Sequence, residues 1–335
     1  MEHRKLTRYL ISLMMILIMV GLAEWTNEKE ILFPEMTALI IGLLIIDKRV
    51  WNVKRWQIIL LMTLGAVAGI CIVRYSPLPY VVNLCAAFVF AGASLLISRA
   101  TLVPLISACV LPVLLHTESI IYPIAVFSMS VSVVLVQIIL EKCGIRNRIP
   151  KSVCRKPVKE DIIRWLILFC FVGALAGLAV SMDYPYLILP PLMVTFVEMV
   201  NSKAGFKNRP TQVFLFLATA ATLGTVLQIV GHHHLHLPES IIALTIAAIL
   251  FLIFEWTGKY FAPAGALAFI PMLLPQEGLG WLPLEASIGA ALFITIAMVV
   301  FQKCYKWNRA QLIFCATPTL LREYMNRKKR KKQIE

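Results

Sequence analysis

Apolar stretches recur along this chain from one end to the other, broken only by short polar segments. They fall at residues 8–23, 31–46, 56–73, 78–97, 102–115 and 120–140, then at 162–181, 186–200, 211–230, 238–254, 261–274 and 284–301. Most approach the roughly 20 apolar residues that a helix needs to cross a hydrocarbon core about 30 Å thick. The pattern predicts an all-α fold, a polytopic bundle of transmembrane helices with about twelve spans. With 59% hydrophobic and only 15% charged residues, a soluble fold is excluded and no separate soluble domain is left over.

The two sets of runs resemble each other. Sliding the second back by roughly 155 to 159 positions places Pro190 on Pro34, Lys203 on Lys48, Phe206 on Trp51, Gln212 on Gln57 and Gly224 on Gly69. Pro263 and Pro271 fall on Pro104 and Pro112, and a Pro-x7-Pro pair repeated at corresponding places is more specific than any match between leucines. The chain therefore divides into a first repeat (1–140), a basic linker (141–161), a second repeat (162–302) and a basic tail (303–335). Six spans per repeat is an even number, so the repeats share one orientation and a pseudo-two-fold axis along the membrane normal. Arg4, Lys5 and Arg8 ahead of a short apolar run also fit a cleaved signal peptide ending near Ala23. The run at 162–181 holds the same place in the second repeat, where no signal peptide can stand, so the first span is expected to be retained.

Charge adds orientation. A formal net charge of +14 could indicate nucleic-acid binding, but the basic residues sort by topology. Counting spans from an inside N-terminus leaves only Lys29 and Arg74, of 32 basic residues, outside. This places both termini in the cytoplasm, assigns the chain to the cell membrane with the bilayer as its partner, and makes nucleic acid unnecessary. The amphipathic stretch 309–324 and the basic run 327–332 suit either an anionic lipid surface or a plain topology signal. The eight cysteines show no CxxC spacing and read as free thiols.

Candidate chemistry sits in two short segments, 99–112 and 259–271. Both are bracketed by proline and rich in small residues. Proline frees the carbonyl one turn earlier, and lipid cannot satisfy it, so such segments must be shielded by protein or line a polar cavity. Interrupted spans at equivalent places in two repeats point to a transporter's binding site, with helix N-termini facing an anion. The predicted pathway comprises Pro104, Pro112, Pro263, Ala264, Gly265, Ala266 and Pro271. The plainer alternative is that Pro104 and Pro263 open ordinary helices and the small residues serve close packing.

The second of these segments carries a resemblance. Residues 188–274 resemble the HPP family of integral membrane proteins, named for His-Pro-Pro followed by Ala-Gly-Ala. Phe261-Ala262-Pro263-Ala264-Gly265-Ala266 keeps the second proline and Ala-Gly-Ala but lacks the His and first Pro. Pro190-Pro191, and Ser202-Lys203 through Arg209-Pro210, sit where that family has its first span and a Ser-Pro to Gln-Pro-Arg loop. The resemblance covers about a quarter of the chain and implies transport of a small anion, nitrite among the candidates. More distantly, 47–55 resembles the loop between the second and third spans of the major-facilitator family, with Val50-Trp51 in place of its central Gly.

Ionisable groups within spans are costly and default to function. Glu198 and Glu255 are the candidates for proton coupling. Each has a plainer alternative: Glu255 can pair with Lys259 one turn on, and Glu198 can snorkel to the interface near Lys203. His232, His233, His234 and His236, with Glu239, form an imidazole cluster in an outside loop, but adjacent histidines seldom enforce tetrahedral geometry, so no metal site is assigned. No nucleophile elbow, P-loop, dinucleotide fingerprint or HExxH string appears, so no enzyme and no cofactor is expected. The sequence thus leads to a secondary transporter or facilitator of a small, anionic solute, compatible with a homo-oligomer. A membrane subunit or sensor that recruits a cytoplasmic partner through its basic segments is the alternative.

Overall fold

The computed structural model describes residues 2–147, 158–201 and 209–302. The basic tail, residues 148–157 of the linker, residues 202–208 with Lys203 and Lys207, and Cys154, Cys304 and Cys315 lie outside the described residues.

All regular structure among the described residues is helical. The first part of the chain forms α1 (Glu2–Thr26), α2 (Pro34–Ile40), α3 (Arg55–Tyr75), α4 (Tyr80–Ser98), α5 (Pro104–Leu115) and α6 (Ile121–Lys142). The second forms α7 (Lys159–Ser181), α8 (Pro190–Asn201), α9 (Pro210–Leu227), α10 (Glu239–Thr257), α11 (Ala262–Phe269) and α12 (Leu282–Gln302). Single turns of π-helix extend α2 to Ile45 and α9 to His234, and a 3-10 turn extends α11 to Met272.

Eight of these helices are long and apolar enough to cross a membrane, namely α1, α3, α4, α6, α7, α9, α10 and α12. The other four predicted spans, 31–46, 102–115, 186–200 and 261–274, instead form the short α2, α5, α8 and α11. Their 7, 12, 12 and 8 residues reach at most about 18 Å at 1.5 Å per residue, roughly half a hydrocarbon core. Proline is the reason. Pro34, Pro104 and Pro190 each open a helix and Pro263 holds the second position, where a missing N–H costs nothing. A residue before proline is pushed out of the helical region, and Phe33 and Leu189 have left it, whereas Val103 before Pro104 stays helical. In 186–200 a 3-10 turn, Pro185–Ile188, precedes the α-helix, and in 261–274 another, Ile270–Met272, follows it.

The short helices pack on one another as a ring, α2 against α11, α11 against α8, α8 against α5 and α5 against α2. Around it, α3 holds α5 and α6, α9 holds α11 and α12, α1 lies against α10 and α4 against α7. Close approach requires glycine at two matching points. A Cβ at Gly69 would strike the Cys109 carbonyl and stand 3.0 Å from Pro112, and one at Gly224 would strike the Ala268 carbonyl and stand 3.1 Å from Pro271.

The first helix belongs to this bundle. Ile16, Met19 and Val20 of α1 are fully buried, and the Glu24 carboxylate accepts the backbone N–H groups of Glu239 (3.1 Å) and Ser240 (3.2 Å) that open α10. Its other face, Leu6, Leu10, Met14, Ile18 and Leu22, is exposed at one residue per turn, the stripe a membrane helix offers to lipid.

Candidate functional site

The four short helices enclose a cavity inside their ring. From α2 come Glu35 and Ala38, from α5 Pro104 and Ser107, from α8 Pro191, Val194 and Glu198, and from α11 Ala262, Pro263 and Ala266. The first turns of all four helices line this cavity, and α8 runs alongside it as far as Glu198. The N-terminal ends of α5, α8 and α11 thus meet at one place with the partial positive charge of their helix dipoles, although the first N–H groups of α5 and α8 are already bonded locally, Leu105 and Ile106 to the carbonyls of Leu102 and Val103 and Leu192 and Met193 to that of Leu189. The free space is about 10 Å³, at the limit of holding a single water, so the centre is closed.

Two carboxyl groups stand in this enclosure. Glu35 is 1% exposed; Ser107 donates its hydroxyl to Oε1, while Oε2 is buried without a protein partner. Glu198 is 4% exposed, and the indole Nε1 of Trp51 donates to its Oε1 at 3.1 Å. It does not reach the interface as a snorkelling side chain would. The hydroxyl of Thr37, one turn from the cavity on α2, is also buried without a partner. Other buried polar atoms without a partner lie outside the ring, on Arg8, Ser130, Gln137, Arg146, Gln212, Thr225 and Gln228.

No family model, curated protein or solved structure matches this chain.

Of the residues singled out from sequence, Pro104, Pro263, Ala266 and Glu198 meet at the cavity. Ala264 is buried beside it, and Gly265 is the contact between α11 and α2, where a Cβ would strike Ile41 and stand 3.1 Å from the Thr37 methyl. Pro112 lies further along α5, on a second cavity of about 430 Å³. This cavity is bounded by Lys29, Leu111 and Tyr122 from the first half and by Tyr186, Leu273 and Pro275 from the second. Pro112 leaves the Ala108 carbonyl without its helical donor, and the Tyr122 hydroxyl supplies one at 3.1 Å. Pro271 packs against Gly224. Glu255 lies apart from the cavity, on the face that carries the N-terminus of α1. It is bound there by Lys5 (2.5 Å), by Tyr260 (2.6 Å) and by Tyr9, and so ties α1 to α10.

That same face is laced with charge. Arg8 makes a two-point contact with Asp47, and Arg55 pairs with Glu141. Arg146, whose side chain is wholly buried, donates to the Ile46 carbonyl at 2.9 Å and lies 3.5 Å from Glu141. Burial draws the Arg146 guanidinium down to about 10, opposed by the Glu141 charge, so it remains a cation at neutral pH.

His232 approaches Glu239 at 3.7 Å and the Leu237 carbonyl at 3.2 Å. No group of three or more metal-ligating side chains is assembled among the described residues. Cys71, Cys85, Cys109, Cys143 and Cys170 are free thiols.

Three site residues escaped the sequence reading. Glu35 was overlooked although an acid inside an apolar run is itself a signal, and it follows Pro34, a matched proline. Ser107 carried no signal of its own. Trp51 was noted only as a repeat position and as a departure from a loop motif.

Proposed function

We propose that this protein is a secondary transporter or facilitator of a small anion, built from two related six-helix halves that alternate access to the ring cavity. The observation that carries the proposal is the meeting of three helix N-termini with a buried, half-satisfied carboxyl group at one point inside a bundle of membrane-length helices. Helix N-termini at an interrupted span suit an anionic group. The matched prolines, the paired contacts of Gly69 and Gly224, and the neighbour pattern in which α1 meets α10 as α7 meets α4 support a parallel duplication. The likeness of 188–274 to the HPP family belongs to the same proposal, with nitrite as the first candidate substrate.

Carboxylates beside an anion site create a conflict that assigns them a role. An anion placed next to ionised Glu35 and Glu198 is repelled, whereas the same anion next to the neutral acids meets only the helix dipoles and hydrogen-bond donors. Substrate and proton would then occupy the centre together and move together. We assign coupling to Glu198 and Glu35. Glu255, bonded to Lys5 outside the cavity, is expected to act in holding α1 against α10.

The test is uptake of nitrite and nitrate into proteoliposomes holding the purified chain, with and without a pH gradient. Uptake accelerated by an inward proton gradient is expected, with Glu198→Gln abolishing that acceleration by roughly tenfold or more while the protein stays monodisperse. Absence of flux for either ion from folded protein would shift the reading to a membrane subunit or sensor.

A further inference from the structure

We propose that the segment 46–54 is a gate on the face bearing Arg8 and Arg55, and that Trp51 is the positioning residue tying it to the cavity. This inference rests on the transport reading of the ring. The segment follows the π turn of α2 and leads into α3 as a strap without regular structure, yet Trp51 within it is only 4% exposed. Loop residues normally run over the surface, so a buried indole in a loop needs a partner that justifies it. It has two. The Cη2 and Cζ3 atoms of the ring lie 2.5 Å from where a Cβ on Gly42 would stand, and its N–H donates to Glu198. It therefore bridges α2 and α8, the two short helices that run from the cavity towards this face, directly beyond a carboxyl group that lines the cavity.

The strap is fastened on both sides of the indole. Asp47 is held by Arg8, Arg55 by Glu141, and Asn52 exchanges hydrogen bonds with the Thr101 hydroxyl (2.7 Å) and backbone N–H (3.2 Å). Arg49 folds back onto the carbonyls of Trp51 (3.1 Å) and Val53 (3.2 Å). In both ion pairs the member at the strap is the exposed one, Asp47 at 59% and Arg55 at 47%, while Arg8 and Glu141 are 6% and 5% exposed. The strap can thus leave into water carrying charges already hydrated, and its departure opens the buried partners to water as well. On the other side of the ring the cavity of about 430 Å³ reaches inwards to Leu111 and Tyr122. The structure is consequently hollow on one face and plugged by Trp51 on the other.

Cysteine labelling reads this directly and needs no transport. In Ala266→Cys, a membrane-impermeant maleimide is applied from either face of sealed vesicles, and modification of residue 266 is quantified by peptide mass spectrometry. Slow labelling from the Arg8 face is expected in this parent. Trp51→Ala should raise that rate roughly tenfold, and Trp51→Phe, which keeps the ring and loses the donor, about fivefold. Glu198→Gln retains an acceptor oxygen and should keep the parent's rate, while Glu198→Ala should behave as Trp51→Phe does. A packing defect alone would not separate Gln from Ala in this way. Unchanged protection in Trp51→Ala, or fast labelling of the parent from the Arg8 face, overturns the gate. If Trp51→Ala loses monodispersity on gel filtration, Trp51→Phe and the Glu198 pair decide. Normal flux with no labelling response removes the gate and leaves the transporter; the expected labelling order without flux removes the transporter and leaves the gate.

Discussion

At the scale of single residues, the interior is governed by what happens to each freed backbone group. Pro112 cannot bond the Ala108 carbonyl, and in an apolar bundle an unpaired carbonyl costs roughly 1–3 kcal/mol, so the Tyr122 hydroxyl is worth more than its contact area implies. Tyr122→Phe should destabilise the protein by about 1–2 kcal/mol in a detergent melt. In a Pro112→Ala background the restored N–H can reach the same carbonyl, and Tyr122→Phe should then cost a few tenths of that. Equal costs in both backgrounds would mean that the hydroxyl serves another group. This dependence was half legible in the sequence. Proline announces a freed carbonyl at a known offset, but the tyrosine that answers it, ten residues further on in another helix, is chosen by packing. Glu35 illustrates the opposite case. Its burial was readable from an acid placed inside an apolar run, yet an acid right after proline also looks like an ordinary first-turn residue complementing a helix dipole.

At the scale of elements, the short helices have ends fixed by chemistry and positions fixed by glycine. Apolar length alone does not separate a half-length helix with flanking residues outside it from a full span, because both conceal the same number of apolar side chains. The prolines marked the boundary correctly, since they opened the helices, but hydropathy counted the flanking residues as helix. Glycine reveals the packing that hydropathy leaves open. Gly224→Ala should force α9 away from the Ala268 carbonyl of α11 and cost about 1–3 kcal/mol, as overpacking does. Gly177→Ala in α7, where a Cβ meets nothing within 4 Å, should instead be neutral or gain up to about 1 kcal/mol of helix propensity. Thermal melts of the two variants side by side check the contrast. A similar loss in both would show that α9 and α11 are not in backbone contact. Gly265→Ala adds a functional arm, because the wedge it drives between α11 and α2 lies beside the cavity, and its effect on uptake should exceed its effect on stability.

At the scale of the whole molecule, the two faces differ in charge, and the charge orients the cavities. Lys29 and Arg74 alone among the basic residues were counted outside, and Lys29 borders the cavity of about 430 Å³ that lies opposite the Arg8–Asp47 pair. By the positive-inside rule that cavity is expected to face the exterior and the strap the cytoplasm. Thr117, on the rim of the cavity, and Asp47, on the strap, make the test. An impermeant maleimide added to intact cells should modify Thr117→Cys and slow nitrite uptake, because a bulky adduct there fills the approach to the ring. Asp47→Cys should react only in inverted vesicles. The reverse pattern would turn the molecule over in the membrane. Modification of Thr117→Cys without any effect on uptake would keep the orientation but detach this cavity from the path of the solute. The expected orientation rests on counts of charge, which are local and additive and can be made from sequence. The cavity was not legible there, because it arises where helices from both halves fail to fill the space between them, a property of the assembled bundle that no single segment carries.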